Sequence, residues 1–175
     1  MDYMRDSPRN GSLMFDRLKT FLNDLTGETP PRVFEADDYR LAAVALMVHI
    51  ASVDGEFDAA ERERLQEIVE YRFGLDGDAT RRLIETAWES ERDSVDLDRF
   101  TSVLKRTLDD EGRLQVVGML WDLAYADGEV HEFEENVVWR VAEMIGVSAH
   151  DRVTLRQHAK AAVDAAEAAA ARKPE

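Results

Sequence analysis

The chain has 175 residues, of which 45% are hydrophobic and 34% charged, enough for one apolar core in a water-exposed protein. Its formal net charge of −15 repels phosphate backbones, which argues against a nucleic-acid partner, and attracts divalent cations and basic proteins. The absence of cysteine excludes disulfides, thiolate zinc sites and cysteine nucleophiles, and it fits a cytoplasmic protein.

Residues 1–32 are interpreted as a lead segment that precedes the folded body. Residues 1–12 are polar and contain Pro8 and Gly11, which predicts disorder. The stretch LMFDRLKTFLNDL at 13–25 has apolar residues at helical spacing and predicts a short amphipathic helix, and TGETPPR at 26–32 predicts a linker.

The body, residues 33–160, is predicted to be a single helical domain. Residues 37–53 and 111–126 are apolar nearly all round and predict two central, buried helices. Amphipathic helices are predicted at 58–73, 79–90, 96–108 and 131–145, and a further helix begins at Ser148. Residues 161–175 form an alanine-rich end, which predicts fraying. No segment alternates with period two, so the fold class is all-α, with seven to eight helices.

An internal repeat relates residues 41–75 to residues 114–147. Aligning Leu41 with Leu114 superposes the two central helices, and the same register superposes the two Asp-Gly-Glu tripeptides that follow them. We therefore predict two helical hairpins related by a pseudo-twofold axis.

Two pairs of matched residues on the central helices predict how those helices pack. Ala45 overlays Gly118, and two small residues at matched positions predict a close helix crossing. His49 overlays Asp122, and these polar residues are interpreted as a buried pair across the axis, with a role near the acidic turns as the alternative.

The repeated stretches VDGEFDAAE at 53–61 and ADGEVHEFE at 126–134 are called here the first and the second acidic corner. They have a structural interpretation, because Gly55 and Gly128 follow a helix and glycine readily adopts the left-handed conformation there. Asp58 is then the N-cap of the next helix, and Glu61 completes a capping box.

The same corners also have a functional interpretation as oxygen-rich cation sites. Carboxylates at the C-terminal end of a helix are disfavoured by about 0.3–1 kcal/mol each, and a cation would relieve that repulsion. The pattern matches the second half of an EF-hand loop but not the first, which excludes an ordinary EF-hand. Candidate ligands for Ca²⁺, Mg²⁺, Mn²⁺ or Zn²⁺ are Asp54, Glu56, Asp58, Glu61, Asp127, Glu129, His131 and Glu134. No organic cofactor is predicted.

The segments VALMVHIASVDGEFDAAERERL and VGMLWDLAYADGEVHEFEENVVWRVAEMIGVS resemble the TerB-like tellurite-resistance family. They are also similar to the N-terminal domain of a membrane-anchored DnaJ-like co-chaperone. The resemblance covers roughly residues 38–147. It implies a compact all-α domain whose acidic patch binds divalent metal, and a place in peripheral membrane complexes of the stress response. The matching ligand positions are Asp54, Glu56, Glu61, Asp127, Glu129 and Glu134.

Three functions of different classes remain open from the sequence. The leading hypothesis is a non-enzymatic, cytoplasmic module that binds a divalent cation and a protein partner in tellurite or general stress response. The alternatives are a metal-free interaction scaffold and a metal-dependent hydrolase whose carboxylates activate water. The sequence contains no GxSxG, P-loop or GxGxxG motif, and the oligomeric state stays open.

Overall fold

The computed structural model describes residues 34–53, 55, 57–93 and 96–172. The predicted lead segment and the corner residues Asp54 and Glu56 lie outside the described residues. The described residues form seven helices and no strand, which confirms the all-α fold class. These are α1 (Tyr39–Ser52), α2 (Ala59–Phe73), α3 (Gly77–Asp93), α4 (Leu97–Thr107), α5 (Asp110–Ala124), α6 (Glu132–Met144) and α7 (Ala149–Ala171).

The two central helices are α1 and α5, as their all-round apolar sequence predicts. Ten of the 14 residues of α1 are buried, and they lie on every side of the helix. A helix without a polar face must be enclosed, and α2, α3, α4, α5 and α6 all contact α1. Because five helices enclose it, α1 is the centre of the hydrophobic core. Burial of each large apolar side chain of α1 contributes about 1.5–3 kcal/mol of transfer free energy to folding.

The N-cap residues of most of these helices are aspartates, and one is a serine. Each one precedes the first helical residue and accepts a hydrogen bond from a backbone N–H of the first turn, which stabilises a helix by about 1 kcal/mol. These N-cap residues are Asp38, Asp58, Asp96, Asp109 and Ser148. Part of the large negative charge of the chain is therefore placed at helix N-termini, where the helix dipole favours it.

The helix pairs α1–α2 and α5–α6 pack reciprocally. The helix α2 contacts α5, the helix α6 contacts α1, and the two central helices contact each other. The next helix of each half also packs on its own central helix, α3 on α1 and α7 on α5. A pseudo-twofold repeat requires this reciprocity; the repeat and the domain bounds derived from it stay predictions.

The predicted close crossing at Gly118 and the predicted buried pair of His49 and Asp122 are both wrong. A Cβ atom added at Gly118 would meet no neighbouring atom within 4 Å, so Gly118 does not allow a tight helix crossing. His49 and Asp122 pair with outer helices and not with each other. Nδ1 of His49 lies 3.0 Å from Oε1 of Glu91 on α3, and Nη2 of Arg72 on α2 donates to Oδ2 of Asp122 at 3.2 Å.

Candidate functional site

The first acidic corner reverses the chain between α1 and α2. The N–H of Val53 donates to the carbonyl of Ile50, and the N–H of Gly55 donates to the carbonyl of Ser52 at 3.1 Å. Gly55 has φ +86°, a conformation that costs a residue with a Cβ atom about 1–2 kcal/mol. The predicted left-handed glycine is confirmed, and it determines where the chain turns.

Asp58 and Glu61 form the predicted capping box at the start of α2. The N–H of Glu61 donates to Oδ1 of Asp58 at 2.8 Å, and the N–H of Asp58 donates to Oε2 of Glu61 at 2.9 Å. Two of the four predicted ligands of this corner therefore have a structural role. The other two, Asp54 and Glu56, are outside the described residues.

The second acidic corner has the same turn but different side-chain partners. Gly128 has φ +94°, and its N–H donates to the carbonyl of Tyr125 at 3.0 Å. Oδ1 of Asp127 accepts from the N–H of Glu129 at 3.2 Å, and Oδ2 of Asp127 lies 3.9 Å from Nε2 of His131. Both side chains of that pair are about half exposed, so solvent screens their attraction.

Glu134 is the buried carboxylate of the second corner, with 3% of its surface exposed. Its Oε2 accepts from the backbone N–H of His131 at 3.0 Å, the same contact that Glu61 makes with Asp58. A buried carboxylate is costly unless hydrogen bonds satisfy it, and this backbone bond contributes to that satisfaction. Glu61 and Glu134 therefore occupy equivalent structural positions at the start of α2 and α6.

The ligands predicted for the second corner do not converge on one point. Within the described part of the chain, no group of three or more His, Asp or Glu side chains is arranged to hold a metal ion. A protein site for Ca²⁺ needs six to eight oxygen ligands at about 2.3–2.6 Å. The described geometry thus agrees with the capping interpretation, and the cation hypothesis stays a prediction.

Glu167 of α7 is a further carboxylate at the second corner, and it is not among the residues predicted from the sequence. A Cβ atom added at Gly128 would lie 3.0 Å from Oε1 of Glu167, so that side chain rests over the turn. Glu167 lines an open cleft of about 510 Å³ between α5 and α7, together with Asp122, Asp127 and, from α2, Arg64. No local sequence signal indicates Glu167, because only the packing of α7 along α5 brings it there.

A neighbouring cleft of about 330 Å³ lies between α2 and α5 and shares Arg64 and Asp122 with the first. We call the two clefts together the α2–α7 groove. Tyr71 lines it and is 84% exposed, the highest value among the described large hydrophobic residues. The α7 wall of the first cleft consists of small apolar side chains, namely Ala159, Ala162, Val163 and Ala166.

None of the seven described helices has the length and apolar character that a membrane-spanning helix requires. A family model described as "Tellurite resistance protein TerB" matches residues 40–157, more than half of the chain. The match begins in α1 and ends within α7, so it includes both acidic corners. No curated protein and no solved structure matches the sequence.

Proposed function

We propose that this chain, which belongs to the TerB tellurite-resistance family, is a non-enzymatic helical module that binds a protein partner in the cytoplasmic response to tellurite or to general stress. The observation that carries the proposal is the α2–α7 groove with the exposed Tyr71. Tyrosine is enriched at protein interfaces because it buries a large apolar ring and still offers a hydroxyl.

The chemistry of the groove suits a polypeptide partner. Its floor carries the ion pair of Arg72 and Asp122, whose side chains are each about one-third exposed and can exchange partners. The small side chains of α7 in the first cleft permit the close approach of another backbone, and Tyr71 in the second cleft offers an apolar anchor. In helix-in-groove recognition the apolar face of an amphipathic helix lies against apolar side chains of this kind, so we expect the partner to contribute a helix.

Photo-crosslinking from the groove tests this proposal. We expect p-benzoylphenylalanine at position 71 to give one discrete crosslinked protein in cells, because Tyr71 would contact the partner. The same amino acid at position 133 is the control, since Phe133 is also well exposed (67%) and lines neither cleft of the groove.

A substitution on the α7 wall of the groove makes the test specific. Ala166→Arg should weaken the crosslink from position 71, because a long charged side chain would narrow the cleft along α7. Ala168→Arg changes the charge equally on an exposed alanine outside the groove and should leave the crosslink unchanged. Equal crosslinking from positions 71 and 133, or equal effects of the two arginines, would contradict partner binding in the groove.

Divalent-cation binding at the acidic corners is the second candidate function. It is supported by the approach of Asp127 to His131 and by the net charge of −15. The proposed ligands are Asp54, Glu56, Asp58 and Glu61 in the first corner and Asp127, Glu129, His131 and Glu134 in the second.

Melting curves with Ca²⁺, Mg²⁺, Mn²⁺ or Zn²⁺ at constant ionic strength test cation binding. A cation at 100 times its dissociation constant should stabilise the protein by about 2.7 kcal/mol. Asp54→Asn with Asp127→Asn should remove most of that gain, whereas Glu63→Gln with Glu89→Gln, equal in charge change but on exposed helix surfaces, should not. The metal-free scaffold predicts no cation response in any of these proteins.

A further inference from the structure

A third cleft, of about 570 Å³, lies between α2 and α3. Apolar side chains form its floor, with Phe57 and Trp88 in edge-to-face contact at 5.2 Å between ring centroids, and Leu65 and Ile84 beside them. Phe57, Ile84 and Trp88 are each partly exposed in the described structure, so the floor is accessible. The volume lies within the range of about 300–1,000 Å³ that is common for ligand sites.

Two arginines and one glutamate, Arg62, Arg81 and Glu85, are the charged residues that line this cleft, so basic groups outnumber acidic ones there although the whole chain is acidic. Arg62 lies on the α2 side, where its Cζ is 5.3 Å from the centroid of the Phe57 ring. This stacking holds the guanidinium at the edge of the floor. Arg81 lies on the α3 side, and its ion pair with Asp78 at 3.3 Å is exposed on both sides and therefore weak.

We propose that the α2–α3 cleft binds an acidic peptide segment of a partner protein. An apolar side chain of that segment would pack on the floor formed by Phe57 and Trp88. Carboxylates on either side of it would pair with Arg62 and Arg81. Guanidinium groups bind carboxylates through paired hydrogen bonds, which gives both attraction and orientation. A basic segment would meet the same two arginines and only one carboxylate, that of Glu85, so the charges that line the cleft favour an acidic segment over a basic one.

This site is separate from the α2–α7 groove, because the two lie on different sides of α2. Arg62 and Leu65 face the α2–α3 cleft, whereas Arg64, Ile68 and Tyr71 line the groove. The inference therefore does not depend on the proposed partner in the groove, and either site can fail its test without the other.

The cleft contains its own spectroscopic reporter, Trp88. With 5-fluorotryptophan in the full chain, ¹⁹F spectra report Trp88 in the cleft and, as internal references, Trp121 in the core and Trp139 beside α7. The probe is the peptide acetyl-Asp-Glu-Leu-Phe-Asp-Glu-amide. We expect a saturable shift of the Trp88 resonance alone, assigned through its loss in Trp88→Phe.

Two control peptides distinguish the contribution of the apolar anchor to binding from the contribution of the acidic residues. A peptide with Ala-Ala in place of Leu-Phe should bind at least tenfold more weakly, because it lacks the apolar anchor. A peptide with lysines in place of the acids should give no saturable shift. Absence of a shift with the acidic peptide, or binding of the lysine peptide with similar affinity, would overturn the proposal.

Matched double variants test the two arginines. Arg62→Gln with Arg81→Gln should weaken binding of the acidic peptide at least tenfold. Arg82→Gln with Arg106→Gln gives the same change in net charge on exposed arginines that do not line the cleft, and should weaken it less than twofold. Equal weakening by the two double variants would mean attraction by overall charge, and would overturn the site.

Discussion

At the scale of single residues, two buried threonines differ in the hydrogen bonding of their hydroxyl groups. Thr80 is fully buried in the first turns of α3, and its Oγ1 has no hydrogen-bond partner among the described residues. Thr101 of α4 is also buried, with 3% exposure, but its Oγ1 donates to the carbonyl of Leu97 at 2.8 Å. The two threonines therefore differ in hydrogen bonding and not in burial.

We expect Thr80→Val to raise the free energy of unfolding by about 1 kcal/mol, because it removes a desolvated hydroxyl and keeps the shape of the side chain. Thr101→Val is the control and should lower it or leave it unchanged, since a satisfied hydrogen bond is lost. Urea unfolding measures both changes. Similar destabilisation by the two substitutions would mean that the Thr80 hydroxyl is satisfied in solution.

Asp38, the N-cap of α1, has a pKa that its surroundings shift. Partial burial on its own would raise the pKa of Asp38, but the hydrogen bonds from the side chain and backbone of Arg40 outweigh it and hold this pKa below the usual 3.8. Nη2 of Arg40 donates to Oδ2 of Asp38 at 2.7 Å. The stability from this interaction is complete above the usual pKa and is lost as the pH falls through the lower, folded-state value.

We therefore expect Asp38→Asn to lower the free energy of unfolding at pH 7 by about 1 kcal/mol, since asparagine caps the helix but removes the charge. The difference from the unsubstituted protein should shrink as the pH falls below 3.8. The control is Asp96→Asn, at the N-cap of α4. The side chain of Asp96 accepts a hydrogen bond from the backbone N–H of Asp98, whereas that of Asp38 also accepts hydrogen bonds from the Arg40 guanidinium. A difference in the free energy of unfolding between Asp38→Asn and the unsubstituted protein that stays constant from pH 6 to pH 2 would refute this explanation.

At the scale of the element, the glycines of α5 and of the turn after it have opposite roles. Gly118 lies inside α5, where an added Cβ would meet nothing within 4 Å, so it weakens the helix without serving packing. Gly128 has φ +94°, and an added Cβ would lie 3.0 Å from Oε1 of Glu167.

We expect Gly118→Ala to stabilise the protein by about 0.5–1 kcal/mol, because alanine restricts the unfolded chain and favours helix. Gly128→Ala should destabilise it by about 1–2 kcal/mol, because alanine is strained at positive φ. Thermal unfolding of both variants checks the pair of signs. Destabilisation by Gly118→Ala would contradict the open space at this position and support the close helix crossing that was predicted there.

The position of α7 also has an element-scale explanation. Nη2 of Arg156 donates to Oε2 of Glu135 at 3.0 Å, and Nε1 of Trp139 donates to Oε1 of the same carboxylate at 3.2 Å. The guanidinium of Arg152 also lies over the Trp139 ring, with Cζ 5.8 Å from its centroid. These contacts fasten the first half of α7 to α6, and its second half can then form a wall of the α2–α7 groove.

At the scale of the whole molecule, the sequence predicted what local patterns determine. The all-round apolar character of α1 and α5 predicted their central position, and Gly55 with the spacing of Asp58 and Glu61 predicted a corner with a capping box. These features depend on residues within a few positions of one another.

Long-range partners could not be predicted in the same way. His49 pairs with Glu91, and Asp122 pairs with Arg72, because these partners face the central helices only after α3 and α2 have packed. The contact of Glu167 with the turn at Gly128 likewise depends on the direction of α7. A periodic pattern shows which face of a helix is apolar but not which helix covers it.

The net charge of −15 gives a prediction for the entire molecule. Raising NaCl from about 10 to 150 mM shortens the Debye length from about 30 to 8 Å and screens self-repulsion. We expect the melting temperature to rise by about 2–4 °C, because exposed ion pairs contribute too little to offset this gain. A lower melting temperature in salt would mean that ion pairs such as Arg156–Glu135 outweigh self-repulsion.

The enclosure of α1 by five other helices determines how its backbone exchanges hydrogen with water. No local opening can expose a helix that is buried on all sides, so the amides of α1 should exchange only when the whole protein unfolds. The outer turns of α7 are exposed on most sides, and their amides should exchange through local opening. A molecule bound in the α2–α7 groove would therefore slow exchange in α7 selectively, through direct contact with its amides.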